Sequence, residues 1–154
     1  MTDVEGQRPV IGTIMRFTLY WSLATLTAFA FFAVTGLEPN SGVGTAAVMV
    51  SAALAGQSFA QQFGSLPVGG ERWKLIFGSL FTSTVLSLVA VVAVLQFLGT
   101  SLTELLGQPA VRQFGVPAWS AMIAFVFALY TFALWLGYGW LARKMSSAVL
   151  RKAG

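Results

Sequence analysis

Gln57 and Gln61 stand four residues apart in an otherwise apolar stretch, with Gln62 beside them, and Ser79, Ser83 and Ser87 repeat at the same spacing further along. Residues four apart share one face of a helix. A neutral amide in hydrocarbon is costly unless it finds a hydrogen-bond partner. The expected partners of the glutamines are therefore the hydroxyls of the serine stripe, reached across two neighbouring helices. The functional alternative is that the same groups line a polar path for a solute. On either reading Gln57 faces protein and not lipid.

A second concentration of polar chemistry is Gly69, Gly70, Glu71, Arg72, Trp73 and Lys74. Glu71 suits the positive end of a helix that starts there, Arg72 and Lys74 can reach lipid head groups, and Trp73 suits a membrane interface. This is an interfacial anchor, with a docking site for a partner or lipid as the alternative.

The missing residue types narrow the function further. The chain has no histidine and no cysteine. Disulfides, thiolate nucleophiles, iron–sulfur ligation, typical zinc sites and axial imidazole ligands are thereby excluded. No Asp, Glu, Lys or Arg falls at the middle of an apolar stretch, whereas ion-coupled transport normally relies on such a group. Small four-span multidrug transporters, with their buried Glu, are a poor match. Intramembrane proteolysis would need a Ser with a His, paired aspartates or a zinc motif. The expectation is a non-enzymatic protein with no cofactor and no metal.

The elements that must position these residues are membrane spans. With 56% hydrophobic residues, 9% charged residues and a mean hydropathy of +0.78, the 154-residue chain lies outside soluble composition. Four stretches free of Asp, Glu, Lys and Arg run from Phe17 to Gly36, Gly42 to Phe63, Leu75 to Leu98 and Pro117 to Leu141. Each meets the roughly 20 residues that a helix needs to cross about 30 Å of hydrocarbon. The run Ala28, Phe29, Ala30, Phe31, Phe32 is apolar on every face, unlike the alternating strands of a membrane barrel. The start carries Asp3 and Glu5 and the first span is too long for a cleaved leader, so it is read as a retained helix.

Orientation follows from the basic residues. Arg8, Arg16, Arg72, Lys74, Arg143, Lys144, Arg151 and Lys152 flank one side of the spans, and only Arg112 of the nine lies on the other. Basic residues are retained in the cytoplasm, which predicts cytoplasmic N and C termini. The net charge of +4 is therefore a topology signal rather than a nucleic-acid patch, and no nucleic-acid partner is expected. Arg143, Lys144, Arg151 and Lys152 suit anionic lipid head groups.

Short connections predict antiparallel neighbours in a single all-α domain of four transmembrane helices, residues 1–154. Ser101 and Glu104 stand at capping-box spacing, so a short interfacial helix is expected near 101–107. In the second span Ala52, Gly56, Ala60 and Gly64 form one row of small residues, with Ala47, Ser51 and Ala55 beside it. Such rows let helix backbones approach closely. They make the second span either the central helix of the bundle or a seam between chains or a pore lining. In the fourth span Trp119 marks the outer interface, and Trp135, Tyr138 and Trp140 form an inner aromatic belt.

The Asn40, Ser41, Gly42 opening of the second span, the Gly56, Gln57 pair and the Gly70, Glu71, Arg72, Trp73 start of the third span resemble a family of short bacterial four-span membrane proteins known only by a placeholder locus name. The resemblance covers nearly the whole chain. It implies a bacterial inner-membrane location and puts emphasis on Glu71 and Trp73, with no activity, cofactor or catalytic residue attached. The resulting expectation is a protein that acts through association, as an accessory subunit or a homo-oligomer. A small transporter or channel for a neutral or amphipathic solute is the alternative.

Overall fold

The structure is a computed structural model that describes residues 8–36, 41–97, 99–107, 109 and 115–147. Among these, all regular structure is helical. The elements are α1 (Arg8–Thr35), α2 (Ser41–Phe63), α3 (Gly69–Phe97), the short α4 (Leu102–Gly107) and α5 (Val116–Leu136). The last runs through a π turn (Gly137–Leu141) into α6 (Ala142–Met145). Four helical stretches are long and apolar enough to cross a bilayer, at Val10–Thr35, Gly42–Phe63, Gly69–Phe97 and Val116–Met145. This is the build of a multi-pass membrane protein.

α1 begins at Arg8 rather than Phe17, and α3 at Gly69 rather than Leu75. A charge-free criterion stops at Arg16 and Lys74. Arg and Lys are nonetheless good helix formers whose heads can reach the interface along a flexible stem. The helix ends have local causes. α1 and α2 close on Gly36 and Gly64 at φ of 67° and 69°, a left-handed conformation that glycine adopts without penalty. Their N–H groups donate to the carbonyls of Phe32 and Ala60, each at 2.9 Å. Pro117 sits in the first turn of α5, where a missing N–H costs nothing.

The expected short helix is α4. Ser101 and Glu104 cap it reciprocally: the Ser101 N–H donates to Glu104 Oε2 at 2.8 Å, and the Glu104 N–H donates to Ser101 Oγ at 3.1 Å.

The core is built from the first half of α1, α2 from Val48 onward, the first half of α3 and the end of the last span. Phe17, Val48, Ala52, Ala55, Leu75, Ile76, Leu134 and Tyr138 are all fully buried. α2 is the central helix, packing against α1, α5, the π turn and α6, and its apolar window is the most buried of the four. The remainder of α3 and α5 is different. Residues 87–94 and 120–129 are exposed without interruption, which means exposure on every face of the helix. Lipid tails are as apolar as these side chains, so such exposure carries no hydrophobic cost in a membrane.

Candidate functional site

The buried row of α2 sets how closely the last span approaches. Gly137 lies so near α2 that an added Cβ would fall 2.6 Å from both the Ala52 Cβ and the Met49 carbonyl oxygen. A Cβ on Gly56 would fall 2.8 Å from the Ala142 Cβ. Ala52, Ala53, Ala55, Gly56 and Ala60 are buried within the chain, whereas Gly64 is exposed and Ala47 half-buried. α2 therefore meets the π turn and α6 nearly backbone to backbone.

The π turn rotates Tyr138 into the core. The extra residue of a wide turn shifts the register of the helix beyond it, and π turns occur often at functional positions. Tyr138 does not join the inner aromatic belt: it is fully buried, its ring 6.4 Å from that of Phe17. Its hydroxyl lies 2.7 Å from Ser79 Oγ. Trp135 and Trp140 stay exposed, as an interfacial ring should be.

The expected pairing of the glutamines with the serine stripe does not form. Ser79 is taken by Tyr138, and Ser83 donates to the Leu80 carbonyl in its own helix at 3.0 Å. Ser87 is exposed. Gln57 Nε2 donates instead to the Met145 carbonyl at 3.5 Å, which keeps it against protein, and Gln61 is exposed. Span hydroxyls can satisfy themselves on the carbonyl a turn earlier, so they need no amide from a neighbour. Thr18, Thr82, Thr84 and Thr131 do this at 2.7–2.9 Å.

Arg72 is where sequence and structure part most. Besides any head group, it reaches the last span. Its Nη2 donates to the Trp135 carbonyl, its Cζ sits 4.6 Å from the centroid of the Trp135 ring, and the guanidinium occupies the space that a side chain on Gly139 would need. Arg72 Nε is buried without a partner among the described residues. The neighbouring Glu71 and Trp73 are exposed, the Trp73 ring stacked on Phe77 at 5.6 Å. Lys144 Nζ lies 4.2 Å over the Trp140 ring. The signal that could have located this site was Gly137 and Gly139 bracketing Tyr138, because two glycines within one turn of a span admit close neighbours.

Between α3 and α5 a cleft of about 250 Å³ opens above the core, lined by Ser83, Thr84, Ser87, Leu88, Phe127 and Tyr130 among others. Gln57 and Gln61 are not part of it. Asn40, Arg151 and Lys152 lie outside the described residues, and Ser41 is placed only as the first residue of α2. Among the described residues no group of three His, Cys, Asp or Glu gathers that could hold a metal ion.

Fold and site together define a class: a multi-pass membrane protein whose described regular structure is all helical, with many span hydroxyls bonded within the chain. No family model, curated protein or solved structure matches the chain.

Proposed function

We propose that this chain is a non-enzymatic integral membrane protein that acts through association, as an accessory subunit of a membrane complex or as a homo-oligomer. The observation that carries the reading is the uneven core. One half of the bundle is closed, while every residue of 87–94 in α3 and of 120–129 in α5 is exposed. Those are apolar helix surfaces that another span can cover, gaining contacts between well-fitted side chains that mobile lipid supplies less well. The small-residue row of α2 is already occupied by Gly137, Tyr138 and Ala142, which favours association through α3 and α5.

The proposed topology alternates across the membrane with both termini cytoplasmic. Contacts between Tyr20 and Ser58, Gly78 and Ile14, and Ser79 and Tyr138 support alternating helix directions, and the eight-to-one distribution of basic residues supports the orientation. A bacterial inner-membrane location rests on the family resemblance. The deciding experiment is gentle extraction of the tagged protein followed by mass spectrometry of bound partners and stoichiometry. A stable foreign subunit or a defined homo-oligomer is expected, and a lone monomer at all protein concentrations would overturn the reading.

A second reading is favoured by the α3–α5 cleft. Hydroxyls of Ser83, Thr84, Ser87 and Tyr130 on an apolar wall suit a small neutral or amphipathic solute. Flux of such solutes into liposomes tests it.

A further inference from the structure

The basic residues at the α3–α6 end of the bundle are not equivalent. Arg72 is held by two contacts to one residue, the Trp135 ring and the Trp135 carbonyl, and Gly139 leaves room for it. A guanidinium fixed in this way has lost its rotamer freedom before any ligand arrives. The carbonyl is neutral, so it satisfies a hydrogen bond without balancing the charge. Among the described residues no carboxylate pairs with Arg72, and its hydrogen bond to the last span uses Nη2. Nε is buried without a partner among the described residues, a state that Nη1 does not share.

Arg143 lies four residues beyond Gly139, the residue against which the Arg72 guanidinium rests, and it too lacks a carboxylate partner among the described residues. Lys144, one residue on, rests on Trp140. Two guanidinium groups at one end of a bundle repel one another unless an anion lies between them. At the end of a membrane span, the anion at hand is a phosphate in a lipid head group.

The geometry points to a phosphate-binding site for one anionic phospholipid head group at the junction of α3 and the last span, held by Arg72 and Arg143 with Trp135 as its floor. Guanidinium groups match phosphate oxygens bidentately, and the acyl chains of that lipid would lie along the exposed apolar faces above. The site is independent of whether the protein works by association or by transport. It differs from diffuse attraction of a basic tail because it requires Gly139 and a preset Arg72.

The test uses the full-length chain purified in detergent and titrated with phosphatidylglycerol or phosphatidylcholine, with retained lipid read by native mass spectrometry. Inorganic phosphate forms a third arm. Phosphatidylglycerol is expected to be retained in preference to phosphatidylcholine, and Arg143→Gln to weaken that preference about fivefold, the equivalent of roughly 1 kcal/mol per basic residue. Gly139→Ala, which displaces the Arg72 guanidinium, has the same expected direction. Arg16→Gln, on exposed α1 surface, should leave the preference intact. Equal retention of the two lipids, or unchanged preference in Arg143→Gln, overturns the site. Displacement of phosphatidylglycerol by millimolar inorganic phosphate would reassign it to free phosphate and overturn the lipid proposal. Because Arg143 is exposed, its variant keeps the test decisive even if Gly139→Ala fails to fold.

Discussion

The Ser79 hydroxyl and the Tyr138 phenol meet at 2.7 Å between α3 and the π turn, both of them fully buried. Each satisfies the other where no water reaches, so removing one strands its partner. Ser79→Ala and Tyr138→Phe are each expected to lower thermal stability in detergent. The double variant should lose less than the sum, with a coupling of about 0.6 kcal/mol, the average for hydrogen bonds between membrane helices. A coupling of zero would mean that the pair is incidental.

Close approach between helices makes three glycines unequal. At Gly137 an added methyl meets the Met49 carbonyl and Ala52, both rigid, and at Gly56 it meets Ala142. At Gly78 it meets the mobile tip of Ile14. Gly137→Ala and Gly56→Ala are therefore expected to cost about 1–3 kcal/mol, as overpacking does, and Gly78→Ala clearly less. Unfolding followed by circular dichroism across the three variants checks the order. Reversal of that order would remove the backbone contact from the account of how this bundle is held.

The four spans were legible because a lipid-embedded helix advertises itself through length and lack of charge. Their ends were not. Arg16 and Lys74 interrupt the apolar run without interrupting the helix, since a charge near a helix end can reach the interface. The reciprocal cap of Ser101 and Glu104 was readable from spacing alone, because it is a local interaction. The partners of Gln57, Ser79 and Arg72 were not readable. Each depends on helix rotation, and the π turn at Gly137–Leu141 resets that rotation by an amount that no periodicity records.

Gln57 illustrates what an amide in this bundle contributes. Its bond to the Met145 carbonyl is long, at 3.5 Å, and lies within one chain. Gln57→Leu is expected to leave oligomeric state unchanged in light-scattering measurements and to cost under about 1 kcal/mol of stability. A shift in oligomeric state would place Gln57 at a seam between chains.

Glu104 gives α4 a pH dependence. The Ser101 backbone N–H and hydroxyl hold its carboxyl below the usual carboxylate range. A group whose folded value is depressed adds stability above its unfolded value and loses that stability as pH falls through the folded one. The amides of 102–107 should therefore be best protected from hydrogen exchange at neutral pH, after correction for intrinsic rates. Protection should decline once the carboxyl protonates in acid. Glu104→Gln should flatten the dependence, and a profile identical to that of the parent would rule the cap out as its cause.

The α3–α5 cleft separates the two functional readings. A thiol reacts with water-soluble maleimide or thiosulfonate reagents as the thiolate, which forms only where water is present. Ser87 lies on the cleft wall and is exposed in the absence of lipid, whereas Ser83 is nearly closed off at 4%. If the cleft is filled by lipid or by a partner helix, Ser87→Cys and Ser83→Cys are both expected to resist labelling in intact membranes and to label after denaturation. If the cleft is part of an aqueous path, Ser87→Cys labels in the membrane, and the rate falls when solute is added. Labelling with solute protection would sink the association reading. Resistance at both positions leaves no water for a polar solute to follow through this end of the bundle.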